Sequence, residues 1–487
     1  MNSMIAVLNK KGKSAKATAL AMLKTLKLGN VESYGIASSE QVEIEKSLAQ
    51  LQNRRVDSSA VIGCAFSGTF VKDKAQPLTL GNASLVFDGR LYLPNMQESD
   101  AEVVTERLEQ NREKGAKTLI NEDRGEFASV LAESERLIAF RDCIGARPLF
   151  FGENEECVAL ASERKALWKI GIDRPKSFPQ GNIGLVDKNG IKFTAVRKFA
   201  YHKPKKMTMR TGSKKLQKLL RDSVEQRVRG LDRVAIAFSG GLDSSIIAFL
   251  AKHSGEDVHL INVSLEGHDE TEHAKRAAEE LRLPLHTFSY SDKHMQEVLP
   301  KVLWLVEEAD PVQASIGVPV YWTAERAAEM GFKVMLAGQG ADEFFGGYRR
   351  YVDLYLSDGG EAVQKAMFKD VVEIGENNLE RDWKICNYHN VELRLPFTDS
   401  RVADFALNVP LELKMQPIDS TLRKLVLRQV AEDLGLPAFI ANRTKKAVQY
   451  ATGVSNAMKR TAKKKGVSVS EYTRQVFQET FSEVVSA

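Results

Sequence analysis

The stretch Val234-Ala-Ile-Ala-Phe-Ser239-Gly240-Gly241-Leu242-Asp243-Ser244-Ser245 decides how the chain is read. An apolar run of strand length ends in Ser-Gly-Gly, and a helical pattern (Ile246, Ile247, Phe249, Leu250) follows at once. An uninterrupted apolar strand suits a parallel sheet covered on both faces. Two glycines allow a tight turn and a close approach of backbone to ligand. The first-turn amides of the next helix are unpaired and lie at the positive end of its dipole, so an anion fits there. Ser239, Ser244 and Ser245 add hydroxyl donors, and Asp243 can hold a divalent cation against phosphates. A plain glycine turn with Asp243 as a helix cap is the bland alternative. So many phosphate-binding residue types in seven positions after a strand argue for the phosphate site.

The spacing is not that of the GxxxxGK[ST] loop, and its lysine is missing. The loop resembles instead the S-G-G-x-D-S-S pyrophosphate loop of ATP-pyrophosphatases, which implies cleavage of ATP to AMP and pyrophosphate with activation of a carboxylate. Beyond it, strands and helices alternate as a doubly wound sheet requires. Val258–Ser264 reads as the second strand, with Val263 and Ser264 as adenine-pocket candidates. Lys301–Glu308 and Pro319–Met330 read as helices bracketing Asp310-Pro311 and Ala314-Ser315. The strand Lys333–Ala337 then runs into Gly338-Gln339-Gly340-Ala341-Asp342-Glu343. This second glycine loop also belongs at the C-terminal end of a strand, where ligands bind in open α/β sheets. Asp342 is placed to share Mg²⁺ with Asp243, since a departing pyrophosphate needs its charge neutralised.

Bulk properties exclude several classes. The chain has 487 residues, 43% hydrophobic and 27% charged, so two or three soluble domains are expected. A net charge of +5 does not point to nucleic acid. Cys64, Cys143, Cys157 and Cys386 are scattered without metal-ligand spacing, which suits a reducing compartment. No apolar stretch approaches membrane-spanning length, and a cytoplasmic location is expected.

The first half reads as short strands with a few helices. Met4–Leu8 is a strand, Ala83–Phe87 leads into a hairpin turn at Asp88-Gly89, and Ala101–Gln110 is a helix capped by Asp100. Asp88-Gly89 before Tyr92, Asp100-Ala-Glu-Val, Arg141-Asp142 with Gly145 and Arg147-Pro148-Leu149, and Ala161-Ser-Glu163 keep a family order. They are similar to the glutaminase domain of class-II amidotransferases, as in glutamine-dependent asparagine synthetases. That resemblance implies an αββα sandwich with an N-terminal cysteine nucleophile. The chain departs from it: Asn2 stands at the nucleophile's place, and an amide supplies no thiolate. Asp88-Gly89-Arg90 stands where the oxyanion-hole signature reads Asn-Gly-Glu, and Ala65-Phe66-Ser67 falls at the carboxylate clamp. Asp100 does match the carboxylate that would hold the glutamine α-amine. Asn2 is either a natural relic or an introduced replacement; the other changes in the pocket favour the relic.

In the second half, Arg381-Asp382, His389–Asp399 with Glu392 and Arg394, Lys424-Leu-Val-Leu427-Arg428 and Arg443-Thr-Lys445-Lys446 resemble asparagine synthetases and their β-lactam synthetase relatives. The resemblance implies lysines at 424 and 445 beside the phosphates and the developing acyl charge. It implies Asp382, Glu392 and Arg394 at the carboxylate substrate, and Glu343 or Gln339 near the attacking nitrogen. Gln339 replaces a glutamate common in relatives and accepts no proton, so Glu343, Glu392 or a phosphate oxygen would serve as base.

The expected architecture is an αββα sandwich over residues 1–205 and a doubly wound ATP-pyrophosphatase domain over 206–487. The expected function is ATP- and Mg²⁺-dependent asparagine synthesis from aspartate, with ammonia as donor and glutamine usable only if the nucleophile is restored. A homodimer is compatible with the resemblance, and no nucleic-acid or membrane partner is expected. Alternatives are a β-lactam-synthetase-like amide ligase and a non-catalytic nucleotide-binding homologue. The first usually replaces the Asp342-Glu343 pair, which is intact here. The intact phosphate loop argues against the second.

Overall fold

A computed structural model describes residues 2–26, 29–93, 98–122, 125–267, 270–416, 422–444 and 446–485. The chain forms two compact units. The first comprises Met1–Lys198, Asn387–Asn390 and Phe481–Ala487; the second comprises Phe199–Cys386 and Val391–Thr480.

The first unit contains thirteen described strands. They are β1 (Asn2–Asn9), β2 (Ser33–Ala37), β3 (Val42–Glu45), β4 (Ala60–Phe66), β5 (Leu78–Leu80), β6 (Ala83–Leu91) and β7 (Gly125–Ala132). After these come β8 (Leu137–Arg141), β9 (Phe150–Glu153), β10 (Cys157–Ala161), β11 (Lys176–Ser177), β12 (Asn182–Asp187) and β13 (Gly190–Ala195). Two antiparallel sheets result, in the orders β11-β9-β10-β1-β4-β2-β3 and β13-β12-β8-β7-β6-β5.

The period of two along each strand builds the layers. Met4, Ala6 and Leu8 of β1 turn inward with Ile62 and Cys64 to meet Val86, Ala128, Val130 and Ala139 of the other sheet. Ile5 and Val7 turn outward onto Ala19, Met22 and Leu23 of the helix Lys16–Leu23. On the far side, Leu85, Phe87, Phe127 and Phe140 pack against the helices Asp100–Glu109 and Arg112–Asn121. This is the expected αββα sandwich.

Two local expectations fail here. Asp88-Gly89 is no hairpin turn: β6 runs straight through it, with Asp88 opposite Ala128 and Gly89 opposite Phe127. Gly89 has φ +149°, and a Cβ there would overlap the Glu126 carbonyl, so glycine serves strand approach and not a turn. Nor does Asp100 cap its helix. Ser99 does, in a reciprocal capping box with Glu102, and Asp100 is released to bind the Leu91 amide and Arg90.

The second unit is built on a parallel sheet of β14 (Arg233–Ala237), β15 (Asp257–Leu265), β16 (Leu285–Tyr290), β17 (Val334–Leu336) and β18 (Glu392–Arg394). Their order is β16-β15-β14-β17-β18. The chain leaves β14 toward β15 on one side and returns to β17 on the other, so the strand order reverses between β14 and β17. Ala235 pairs with Met335 and Ile236 with Leu336. Both glycine loops therefore emerge side by side at the crevice where such sheets bind ligands.

The helices beyond β16 differ from expectation. Asp292–Val306 continues through Pro300, and Pro311–Glu329 continues through Pro319. Asp310 caps the second with Gln313 and Pro311 occupies its first turn, so Ala314 and Ser315 are helical and not loop.

Candidate active site

A cavity of about 300 Å³ opens at the C-terminal ends of β14 and β17. One end is apolar, with Ile261, Val263, Ile316, Val320 and Met335. At the other end lie Ser239, Asp243 and Ser244 from the first loop, with Asp342 from the second and Lys446. Glu343, Tyr348, Asn378, Arg381 and Gln339 line a third wall.

The first loop folds as its composition demands. Gly240 has φ +66°, and a Cβ there would crowd Ala274 and His273, so the helix Glu270–Leu281 can approach. Gly241 is the N-cap of Leu242–Lys252 and has no side chain to satisfy the first amides. Among the described residues, the hydroxyls of Ser239 and Ser244 hydrogen-bond to each other and to the Gly241 backbone, at 3.3–3.4 Å. Ser245, by contrast, is fully buried inside the helix and does not line the cavity.

Lys424 bridges the two carboxylates. Lys424 is 3% exposed, and its Nζ lies 2.6 Å from Asp243 Oδ2 and 2.7 Å from Asp342 Oδ1. Its backbone is left-handed at φ +60°, a conformation that costs a non-glycine residue on the order of 1 kcal/mol. The Leu425 amide to the Lys414 carbonyl and the bridge between Met415 and Arg423 hold it there. Asp243 Oδ1 is buried and has no hydrogen-bond partner among the described residues. A buried, unsatisfied carboxylate oxygen beside a second carboxylate fits a divalent cation.

Glu343 is 4% exposed and accepts hydrogen bonds from the Tyr348 hydroxyl and from Asn378 Nδ2 at 2.6 Å. Burial, the Glu343 charge and Asp342 push the Tyr348 hydroxyl far above its ordinary pKa, so it stays a donor. Asn378 comes from a π-helical turn, Gly375–Leu379, a form frequent at functional sites. Gln339 Nε2 donates to Asp382 at 2.7 Å, and the Arg381 guanidinium binds the same carboxyl at 2.7 Å.

Not every expected residue reaches the cavity. Asp382 is fully buried and accepts hydrogen bonds from Gln339 and Arg381, which line the cavity. Glu392 and Arg394 pair with each other at 2.7 Å, and between them Leu393 lines the cavity, as strand alternation requires. Gly338 and Gly340 do line it; Lys445 lies outside the described residues. Lys446, Tyr348 and Asn378 were not singled out from sequence. A second recess of about 70 Å³ behind the loop adds Arg423, Arg428 and Arg443, and Arg443 donates to the Ser239 carbonyl at 2.9 Å.

The first unit has its own pocket, lined by Asn2, Asp73, Asp88, Gly89, Arg90 and Asp100, with room of about 20 Å³. Asn2 Nδ2 donates to the Phe87 carbonyl at 2.7 Å and its amide to Asp88 at 2.9 Å. Arg90 grips Asp73 with two bonds of 2.7 and 2.8 Å and reaches Asp100 at 2.9 Å. Burial would raise the Asp73 carboxyl, but the guanidinium outweighs it and holds the group below the usual range. A buried cysteine lies on the neighbouring strand β4. Cys64, opposite Met4, has its thiol pushed up to about 12 by burial.

A phosphate loop, paired carboxylates and a lysine at the reversal point of a parallel sheet define a nucleotide-dependent activating site. Comparison with known proteins narrows the class. The asparagine synthase family matches residues 215–359 and 355–483, and a glutamine amidotransferase domain matches 69–169. A Methanocaldococcus jannaschii protein provisionally named asparagine synthetase [glutamine-hydrolyzing] 1 is 34% identical over 76% of this chain and 76% of its own. Asparagine synthetase B [glutamine-hydrolyzing] of Escherichia coli is 28% identical over 73% of this chain and 65% of its own. That of Asparagus officinalis is 26% identical over 73% and 61%. Among solved structures, a Bacillus subtilis glutamine phosphoribosylpyrophosphate amidotransferase matches 58% of this chain and 65% of its own. Its identity is 16% and its TM-score 0.35, a likeness too slight to build on. The chain belongs to the asparagine synthase family, as an ATP-dependent ligase with an amidotransferase-type domain.

Proposed function

We propose that this chain makes asparagine from aspartate and ATP with ammonia taken from solution. The carrying observation is the contrast at the two reaction centres. The synthetase cavity keeps its loop hydroxyls, Asp243, Asp342 and Glu343, whereas the nucleophile position holds an asparagine bonded into β6.

The apolar end formed by Ile261, Val263 and Met335 takes the base, and the Ser239–Ser244 loop with the following helix N-terminus takes the phosphates. Asp243 and Asp342 would hold Mg²⁺, which when bound neutralises phosphate charge. The wall of Glu343, Tyr348, Asn378 and Arg381 receives aspartate. An oxygen of the aspartate β-carboxylate attacks the α-phosphorus, the bond to pyrophosphate breaks, and β-aspartyl-AMP forms. Nitrogen then attacks the acyl carbon and AMP leaves. Lys424, and Lys446 at the same end, supply positive charge where oxyanions develop. Gln339 is committed to Asp382, so Glu343 is the cavity carboxylate that takes the proton from the attacking nitrogen.

The test is pyrophosphate release from Mg-ATP with aspartate, comparing ammonium with glutamine. Ammonium is expected to support asparagine formation and glutamine is not. Equal support by glutamine would refute the ammonia reading. Absence of any aspartate stimulation would refute the substrate.

A further inference from the structure

The arrangement of Lys424 is unusual for a residue expected to meet phosphates. Its ammonium lies between the two carboxylates that would hold the cation, within 2.7 Å of each. Its side chain is 4% exposed, and those of Asp243 and Asp342 are 17% and 15% exposed. The backbone is shaped for this placement. Lys424 is left-handed, and Gly347 has no side chain where a Cβ would overlap both Lys424 Cε and Asp342 Oδ1. A glycine and a strained lysine thus converge on one contact.

Resting on the reading above, we propose that Lys424 is the internal occupant of the divalent-cation site, excluding free metal until nucleotide draws the lysine away. The physical basis is mutual exclusion. Mg²⁺ takes oxygen ligands at about 2.0–2.1 Å in a near-octahedral shell, and an ammonium between the same two carboxylates leaves no room for it. Without nucleotide Lys424 already supplies positive charge between Asp243 and Asp342, so a dication gains less there than it would with the lysine absent. A triphosphate brings several negative charges to the loop and gives the ammonium a better partner. The lysine then exchanges carboxylates for phosphate oxygens as the cation enters. The site therefore takes metal and nucleotide together and resists metal alone. Asp243 Oδ1, which Lys424 leaves without a hydrogen bond, is the atom the exchange satisfies.

The experiment is Mn²⁺ binding without nucleotide, followed by the loss of the free-ion electron paramagnetic resonance signal. Wild type, Lys424→Met and Lys424→Gln are compared, each checked for wild-type circular dichroism. Both variants are expected to bind Mn²⁺ at least tenfold more tightly than wild type, a difference of about 1.4 kcal/mol. Adding Asp342→Asn to either should remove the gain. Equal Mn²⁺ affinity in wild type and variants overturns the proposal. So does tight nucleotide-free binding by the wild type, a result that needs no variant. Pyrophosphate release by the wild type is measured in parallel. If release depends on aspartate while the Mn²⁺ affinities are equal, only the lysine exchange fails; if release is absent, the ligase reading fails.

Discussion

The two pockets of this chain hold similar carboxylate pairs, each bridged by a cation, that differ in how far their oxygens are satisfied. In the cavity between β14 and β17, Asp243 keeps a buried oxygen with no hydrogen-bond partner among the described residues, and Lys424 bridges Asp243 and Asp342. In the Asn2 pocket, Arg90 satisfies Asp73 and Asp100 together and little space is left. Buried polar groups are normally satisfied within the protein. A carboxylate left short of partners beside an open cavity waits for a ligand, whereas one saturated by a neighbouring guanidinium has become part of the scaffold. On the proposed function, the first pocket is a site and the second is part of the scaffold.

Removing the plug should have the largest effect on stability. Arg90→Ala leaves two buried carboxylates without their cation, a loss of about 3–5 kcal/mol for breaking a buried pair from one side. Thermal or denaturant unfolding would show it, and a variant as stable as wild type would mean that Arg90 is not holding this pocket. The site should respond in the other currency. Asp342→Asn is expected to lower pyrophosphate release by about 10²–10³-fold, the size seen when one charge-stabilising group is removed from an active site. Its unfolding midpoint should change little, because the residue it leaves behind, Lys424, keeps Asp243. If the variant unfolds instead, the distinction between site and scaffold collapses.

A third buried charge sharpens the contrast. Lys414 is 6% exposed in a gap of about 20 Å³ lined by Met367, Phe368, Val371 and Leu411, and burial lowers its ammonium to about 7. Here a poorly compensated charge has no ligand-sized cavity beside it, so the expectation is a cost to stability and no role in binding. The sign follows from linkage. Above pH 7 the folded amine is neutral while the unfolded one stays protonated to about 10.4, so stability rises with pH through that window. The gain between pH 7 and 9 is about 2–3 kcal/mol. Lys414→Met should abolish that slope and raise stability at pH 7. A slope that survives the substitution would assign it to other groups.

Much of the site was legible because glycine, serine and aspartate at fixed offsets after an apolar strand have few other uses. The β14 loop, the β17 loop and their adjacency all follow from alternation and strand order. Other features depended on partners distant in sequence. Gly89 signals a turn until β7 is seen crossing it, and Asp100 signals a cap until Ser99 is seen to do that work. Glu392 and Arg394 carried the right chemistry in the right order, but strand alternation gives the cavity to Leu393. Arg90 was visible as an odd residue at a familiar place. Its meaning required Asp73, seventeen positions earlier, whose loop no local pattern brings to β6.

The smallest expected effect is the most discriminating. Asn2→Cys places a thiol at the proposed nucleophile position and changes nothing else. Were Asn2 the sole defect, glutamate release from glutamine would return. The geometry predicts that it will not: Asp100, the carboxylate expected to hold the substrate's α-ammonium, is already bonded to Arg90, and a glutamine cannot enter a gap of about 20 Å³. Glutamate release should therefore stay at background in Asn2→Cys. Mass spectrometry should find no adduct with an electrophile shaped like glutamine. Adding Arg90→Glu removes the guanidinium and frees Asp73 and Asp100, so any gain should appear only in the double variant. Release by the single variant would mean that the pocket opens around its own ion pair. The difference between the two pockets would then come down to one side chain, and the Arg90 cluster would be a latch and not a filling.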